Sequence, residues 1–341
     1  NPRPPGILGR MLPMRWLVRR SCFYVFALWV AVTLNFLLPR LMPGDPAGGM
    51  LARLSSSQIA SNPGIIETYR RMLGGGHQSL IHAYFSYLGQ ISRLDFGIST
   101  SNYPTNVSEV IARTLPYSIF LVGVAFILAF VLGTTIGMLA AWRRGGAVDN
   151  IVVPTLLSLS AFPAFFTSLV AVYFFGLKLG WFPLQHAYDT ALTPGFNYAF
   201  LESAFRHAQL PILVITVAFA GGWVLNMRTV MINTIEEDYV AMAEAKGLPD
   251  RRVMTRYAGR NAILPPLNGF AAQFASAVGG LVFIEFVFSY PGAGFTLQQA
   301  ALGSDYPLTQ GLLLVFAVCV ILANFVMDIL NMVLDPRVRA S

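Results

Sequence analysis

Six stretches of the chain run without Asp, Glu, Lys or Arg: 21–39, 114–142, 150–177, 207–227, 261–284 and 306–327. A helix needs roughly 20 predominantly apolar residues to cross about 30 Å of hydrocarbon, and each stretch meets or approaches that length. The first is the shortest, but Arg19, Arg20 and Arg40 at its ends can carry their charges to the interface. The pattern predicts six membrane helices. Between the fourth and fifth it changes character, to TIEEDYVAMAEAKGLPDRRVMTRYAGRNAILPP over 234–266. This insert reads as two short helices. Thr234 is placed to cap the first, and Glu236, Glu237 and Asp238 fall in its first turn, where the helix dipole favours negative charge. Gly247 is the expected left-handed terminator, with Pro249 behind it. Asp250 is the expected cap of a second helix carrying Arg251, Arg252, Arg256 and Arg260.

The remaining polar segments are uneven. Residues 40–113, rich in Gly, Ser and Pro, form a segment long enough for a small lobe. Its 55–73 and 77–94 stretches have helical apolar spacing, joined through Gly74, Gly75 and Gly76. A second loop, about 178–206, carries aromatics and prolines, and RRGGAVD at 143–149 is a tight turn. The first apolar run is long for a signal peptide, and LPRLMPGDP after it lacks a small-x-small cleavage site, so it reads as a retained helix.

Composition agrees with a membrane location. Hydrophobic residues make up 55% of the chain and charged residues 11%, against about a quarter charged in soluble domains. Mean hydropathy is +0.60. With the N-terminus inside, the inner set of basic residues is Arg3, Arg10, Arg15, Arg19, Arg20, Arg143, Arg144, Arg228, Lys246, Arg251, Arg252, Arg256, Arg260, Arg337 and Arg339. The outer set is Arg40, Arg53, Arg70, Arg71, Arg93, Arg113, Lys178 and Arg206. Fifteen against eight places both termini in the cytoplasm by the positive-inside rule. The net charge of +7 follows from that bias and from anionic lipid, with no need of nucleic acid. Cys22 and Cys319 lie within apolar runs and build no disulfide framework.

Several motifs stand in order along the chain. Pro43-Gly44-Asp45-Pro46 follows the first helix, and Asp95-Phe96-Gly97-x-Ser99 precedes the second. The loop holds Ala243-x-Ala245-Lys246-Gly247-Leu248, then Arg260-Asn261-Ala262 and Pro265. Glu285-x-x-Phe288-Ser289-Tyr290-Pro291-Gly292-x-Gly294 closes the fifth helix. Asp305-Tyr306-Pro307-x-x-Gln310-Gly311, Asn324-x-x-x-Asp328 and Asp335-Pro336-Arg337 mark the sixth helix and the tail. Together these resemble the permeases of binding-protein-dependent ABC importers, in the dipeptide/oligopeptide/nickel branch, whose cytoplasmic "EAA" loop the insert matches. The chain departs from the pattern at Leu94, where glycine is usual, at Ala241, where the broader consensus has Glu, at Glu244, where a basic residue is common, and at Arg260, where the broader consensus has Pro.

The resemblance implies an all-α membrane protein: segment 1–15 in the cytoplasm, helix 1 over 16–39, an extracytoplasmic lobe over 40–113, and a five-helix core over 114–341 that includes the coupling loop 234–262. It implies a translocation subunit and no enzyme, working with a second homologous permease, two cytoplasmic ABC ATPases that bind ATP and Mg, and an extracytoplasmic substrate-binding protein. Coupling to the ATPase would fall to Glu237, Tyr239, Ala243, Ala245, Lys246, Gly247, Arg251, Arg256 and Arg260. The small Ala243 and Ala245 would allow a partner to approach closely. An interface helix meeting anionic lipid would account for Arg251 and Arg252 but not for the acidic cluster. Glu285, Phe288, Pro291 and Gly292 are candidates for the path or a gate. An acidic residue in a span is functional by default, but Glu285 could equally be a hydrogen-bonded structural partner. For Asp328, a turn from Asn324 on one face, a structural contact outweighs a proton relay.

Chemistry of the chain's own is not visible. Lys178 and Lys246 are its only lysines, and neither sits in a phosphate-binding G-x-x-x-x-G-K motif. There is no H-E-x-x-H, paired-cysteine motif or nucleophile elbow, and the spacing of His77 and His82 is a weak metal signal. A self-contained channel or secondary transporter would also have six spans, but leaves the charged insert without a purpose. A membrane-embedded enzyme would need clustered ionisable groups within the spans. For the solute, short peptides come first, with oligosaccharide or nickel as alternatives in the branch.

Overall fold

The structure, a computed structural model, describes residues 14–41 and 79–334, which are helical apart from loops, turns and one isolated bridge between Ile98 and Asn106. The 55–73 stretch, Pro43-Gly44-Asp45-Pro46, His77 and Asp335-Pro336-Arg337 lie outside the described residues. Among the described residues, four helices are long and apolar enough to cross a membrane, and six spans result if each of two bent pairs counts as one. Chain contacts divide the protein into two compact units, residues 1–111 with 300–341, and residues 112–299.

In the first unit, α1 (Met14–Leu41) pairs with α11 (Tyr306–Leu334) through polar side chains. The Asn35 amide donates to the Gln310 carbonyl at 2.9 Å, and the Gln310 amide donates back to the Asn35 carbonyl at 2.9 Å. Asp328 accepts from Tyr24 and meets Arg20 at 2.9 Å. Such bonds hold helices together where lipid gives them no hydrophobic reason to associate. Helix α2 (Leu80–Ser92), the element expected within 77–94, joins α1 through Tyr84 on Thr33 and Tyr87 on Asn35. At the start of α11, buried Asp305 caps the Leu308 N–H at 3.1 Å and accepts from the Ser99 hydroxyl at 2.6 Å and the Ser101 N–H at 2.9 Å. Leu94 adopts φ +57°, a left-handed conformation that glycine takes more easily.

The second unit contains most of α3 (Val107–Trp142), then a π-helical turn (Val148–Val152) leading into α4 (Val153–Ala161). Next come α5 (Ala164–Ala171), which continues as a π-helix (Val172–Lys178), and α6 (Tyr198–Ile235). The single span expected at 150–177 is bent instead: α4 and α5 meet at 103°. The cause is local. Pro163 holds Phe162 extended at ψ 138° and opens α5 as its N-terminal flank. The core gathers Leu121, Ala125, Val214, Ile215, Leu281, Ile284 and Phe288, beside an aromatic group of Phe126, Phe130, Phe270, Phe274 and Trp223.

α3 and α6 touch backbone to backbone. A Cβ on Gly133 would stand 2.9 Å from the Ala220 carbonyl, and one on Gly137 would lie 3.0 Å from the Arg228 nitrogen and closer still to the Val224 carbonyl. The two glycines, four apart, make the small-x-x-x-small contact of membrane helices. Gly137→Ala is expected to lower stability by about 1–3 kcal/mol, the usual cost of overpacking. Gly123→Ala, where a Cβ meets nothing within 4 Å, should be neutral. Unfolding midpoints of the purified chain in mixed detergent and dodecyl sulfate check the pair.

Candidate functional site

The charged insert folds as a helical knob. Helix α6 runs to Ile235 and ends at Glu236, so Thr234 does not cap the next helix; its hydroxyl donates to the Val230 carbonyl at 2.8 Å. Helix α7 (Asp238–Ala245) starts after Glu237, whose side chain caps nothing, leaving Asp238 alone in the first turn. Gly247 lies at φ +69° as expected, its N–H donating to the Glu244 carbonyl at 2.8 Å. The second helical run, α8, covers 250–262 as Asp250–Arg252, a π-helix over Val253–Gly259 and Arg260–Ala262. Pro249 flanks its start, and Asp250 sits in the first turn without capping it.

Both helices are pinned to the bundle by their apolar faces. Val240 and Ala243 of α7 and Val253, Ala258 and Ala262 of α8 share one buried cluster with Met227 and Met231 of α6 and Ala141 of α3. Ala243 therefore turns inward, 2% exposed, where its small size lets α7 close on its own core rather than on a partner. Glu237, Ala245, Lys246, Gly247, Arg251, Arg256 and Arg260 remain exposed. Tyr239 lies beside them, with Met242 the most exposed large apolar side chain of the knob at 58%. Methionine in a polar helix is a signal that residue-type reasoning passed over. Arg251, Arg252 and Arg256 flank an open groove of about 610 Å³.

The 143–149 turn shares this end of the unit. A cleft of about 440 Å³ is lined by Trp142, Arg143 and Arg144 from one side and by Ile235, Glu236 and Glu244 from the other. Arg228 on α6 grips Asp149 with two hydrogen bonds, at 2.6 and 3.3 Å, and the Gly145 N–H adds a third at 3.1 Å. Sequence reading counted Arg228 only as an inner charge, because an ion pair between residues so far apart in the chain has no local signature.

Glu285 is the other candidate, fully buried near the end of α9 (Leu264–Val287). One carboxyl oxygen accepts from the Ser118 hydroxyl on α3 at 2.6 Å. The other accepts the N–H groups of Gly294 at 2.8 Å and Phe295 at 3.0 Å. These belong to α10 (Ala293–Leu302), and the Ala293 N–H is met in turn by Ser118 at 2.7 Å. The carboxyl of the preceding helix and a hydroxyl from far up the chain thus satisfy three of the free N–H groups at a helix start, where negative charge is favoured. A Cβ on Gly292 would collide with the carboxyl group, and one on Gly294 would lie 2.8 Å from the Val282 Cα. Phe288 is buried in the core, and its carbonyl accepts the His186 N–H at 3.0 Å. Pro291 is half-buried. The E-x-x-F-x-x-P-G-x-G spacing is therefore the spacing of one packed corner.

Comparison with known proteins agrees with this architecture. Residues 133–340 match the family model described as binding-protein-dependent transport system inner membrane component. A putative peptide permease protein of Brucella suis is 32% identical over 329 residues, covering 96% of this chain and all of the relative. The oligopeptide transport system permease protein AppB of Bacillus subtilis is 30% identical, covering 95% of this chain and 99% of its own length. The glutathione transport system permease protein GsiC of Escherichia coli is 28% identical, covering 96% and 99%. A helical, multi-span chain so matched along its length belongs to the family of binding-protein-dependent transport system inner membrane components, as a membrane permease subunit.

Proposed function

We propose that the chain is one of two permease subunits of an ATP-driven importer of short peptides. In this reading an extracytoplasmic binding protein delivers the solute, and two cytoplasmic ATPases dock on the α7–α8 knob. The observation that carries it is the knob itself: a charged, exposed surface fixed by a buried cluster to α3 and α6. Any force on α7 must then be felt by two membrane helices. The peptide class rests on the printed names of relatives matched over 95–96% of the chain. The reading takes both bent pairs as crossing, for six spans, with both termini in the cytoplasm, and the helix lengths and the Lys and Arg bias support it. The common end shared by the 143–149 turn and the knob supports that arrangement. Glu285 is then a structural staple of α10 rather than a ligand for the solute.

Three outcomes test these statements. Gly247→Val forces a β-branched residue into φ +69°, at a cost of about 1–2 kcal/mol, and tilts α7. Peptide uptake and substrate-stimulated ATP hydrolysis should fall together, by about tenfold for each 1.4 kcal/mol of misfit, while the complex still assembles. Normal uptake would remove the knob from the mechanism. For orientation, a cysteine at Thr190 should react with an impermeant thiol reagent applied to intact cells, and one at Thr255 should not. Glu285→Ala leaves the N–H groups of α10 unpaired at about 1–3 kcal/mol each, so folded permease in membranes should drop sharply. Glu285→Gln keeps one acceptor for α10 and a donor for Ser118, and should be milder in the same measurement.

A further inference from the structure

Two groups of arginine differ in what they meet. Arg20, Arg144, Arg206 and Arg228 each face a carboxylate of the same chain. Arg251, Arg252, Arg256 and Arg260 on α8 are exposed, and their guanidinium groups make no ion pair or hydrogen bond among the described residues. Three of these four converge. Arg251, Arg252 and Arg256 line the open groove of about 610 Å³ with Pro249 and Thr255, and no carboxylate is among these residues. The Thr255 hydroxyl donates to the Arg251 carbonyl at 2.7 Å, so the donors left for an occupant are the guanidinium groups. In an α-helix, residues five apart stand about 140° round from each other. The π-helical run that begins at Val253 takes more residues per turn, which brings Arg256 back beside Arg251.

Depth decides what such a groove can meet. The uncharged stretch 114–142, which holds most of α3, is about 43 Å long at 1.5 Å per residue. That is close to the about 40–45 Å of a bilayer with its headgroups, so the ends of the stretch reach the headgroup layers. Helix α8 is packed on the last turn of it. Val253 and Ala258 share a buried cluster with Ala141, with Met138 and Trp142 against it, and a Cβ on Gly259 would lie 3.0 Å from the Met138 sulfur. Two residues after α8 the chain has entered α9 at Leu264. Helix α8 thus lies along the end of the bundle at headgroup depth, apolar face inward and basic face outward, as an interfacial helix does. Long arginine stems carry the charges the remaining few ångströms.

We propose that the groove of Arg251, Arg252 and Arg256 binds the phosphate of an anionic phospholipid from the cytoplasmic leaflet, leaving α7 to the ATPase. A planar guanidinium pairs with two phosphate oxygens at once, and three of them outnumber the single charge of a phosphodiester. The groove is open, so a headgroup enters it while the acyl chains stay in the bilayer beside α8. Anionic lipid also gives the inner leaflet a negative surface potential that draws basic segments to it. The proposal rests on the importer reading for the side of the membrane that the knob faces, and adds to it a second partner for the knob. Held at the membrane surface, α8 gives α7 a fixed edge against which to transmit force.

Native mass spectrometry of the assembled transporter, titrated with phosphatidylglycerol and with neutral phosphatidylcholine as control, reads the site directly. Arg251→Gln, Arg252→Gln and Arg256→Gln should each weaken the tightest phosphatidylglycerol site about fivefold. The three together should abolish it, while lysine at the same three positions should keep it, because the charge remains. Arg206→Gln, near the other end of α6, should change nothing. A triple glutamine variant that binds phosphatidylglycerol as the parent does would overturn the proposal. Loss of the ATPases from that variant, with its lipid binding unchanged, would make the groove a protein contact and overturn it equally. Displacement of the lipid by an equal concentration of inorganic phosphate would make it a site for soluble anions, with the same result. Lipid is counted without transport, so a lipid-filled groove in a complex that takes up no peptide would uphold the proposal and count against the importer reading instead.

Discussion

A carboxyl group placed where water does not reach must be met by donors, and the corner around Glu285 is built to supply them. Ser118 comes from α3, Gly294 and Phe295 from α10, and the carboxyl itself from α9. Two neighbouring elements and one far away in sequence are thereby joined at one point. Gly292 and Gly294 make room for the carboxyl group, Phe288 fills the core beside it, and the carboxyl takes the place of the carbonyls of a turn before α10. Asp305 does a comparable task in the other unit, capping α11 while holding Ser99 and Ser101. In both corners an acidic residue that looks costly in isolation stabilises a helix start that would otherwise leave N–H groups bare.

The knob obeys a different constraint. It is exposed and charged, so its rigidity has to come from the little apolar surface it owns. Val240, Ala243, Val253, Ala258 and Ala262 spend that surface against Met227, Met231 and Ala141. The tight α3–α6 contact at Gly133 and Gly137 lies in the same two helices. A displacement of α7 would therefore meet a pair of helices packed too closely to slide independently, which is what a mechanical link to the membrane requires.

The long apolar helices, the knob and its glycine turn were legible in the sequence because each rests on a local rule: apolar length, a change to charged composition, a residue able to take positive φ. The bend at Phe162–Pro163 also had a local sign in Pro163, but the absence of charge over 150–177 hid it. The caps assigned to Thr234 and Asp250 failed for a shared reason. Helix α6 runs on past Thr234, three residues short of the position before α7, and Pro249 takes the flanking position before Asp250, so neither side chain is in register for capping. Partners in space were not legible at all. Ser118 for Glu285, Asp149 for Arg228 and the inward turn of Ala243 depend on helices far apart in the chain.

The central claim is that ATP hydrolysis by partner subunits, and no ion gradient, drives solute across this permease. It can be examined in proteoliposomes holding the complete transporter, with ATP and Mg on the ATPase side, binding protein and a labelled short peptide on the other, and the proton gradient collapsed. The account predicts that peptide accumulates as long as ATP is present and stops when hydrolysis is blocked. Uptake that ceases on collapsing the gradient while ATP hydrolysis continues would contradict it.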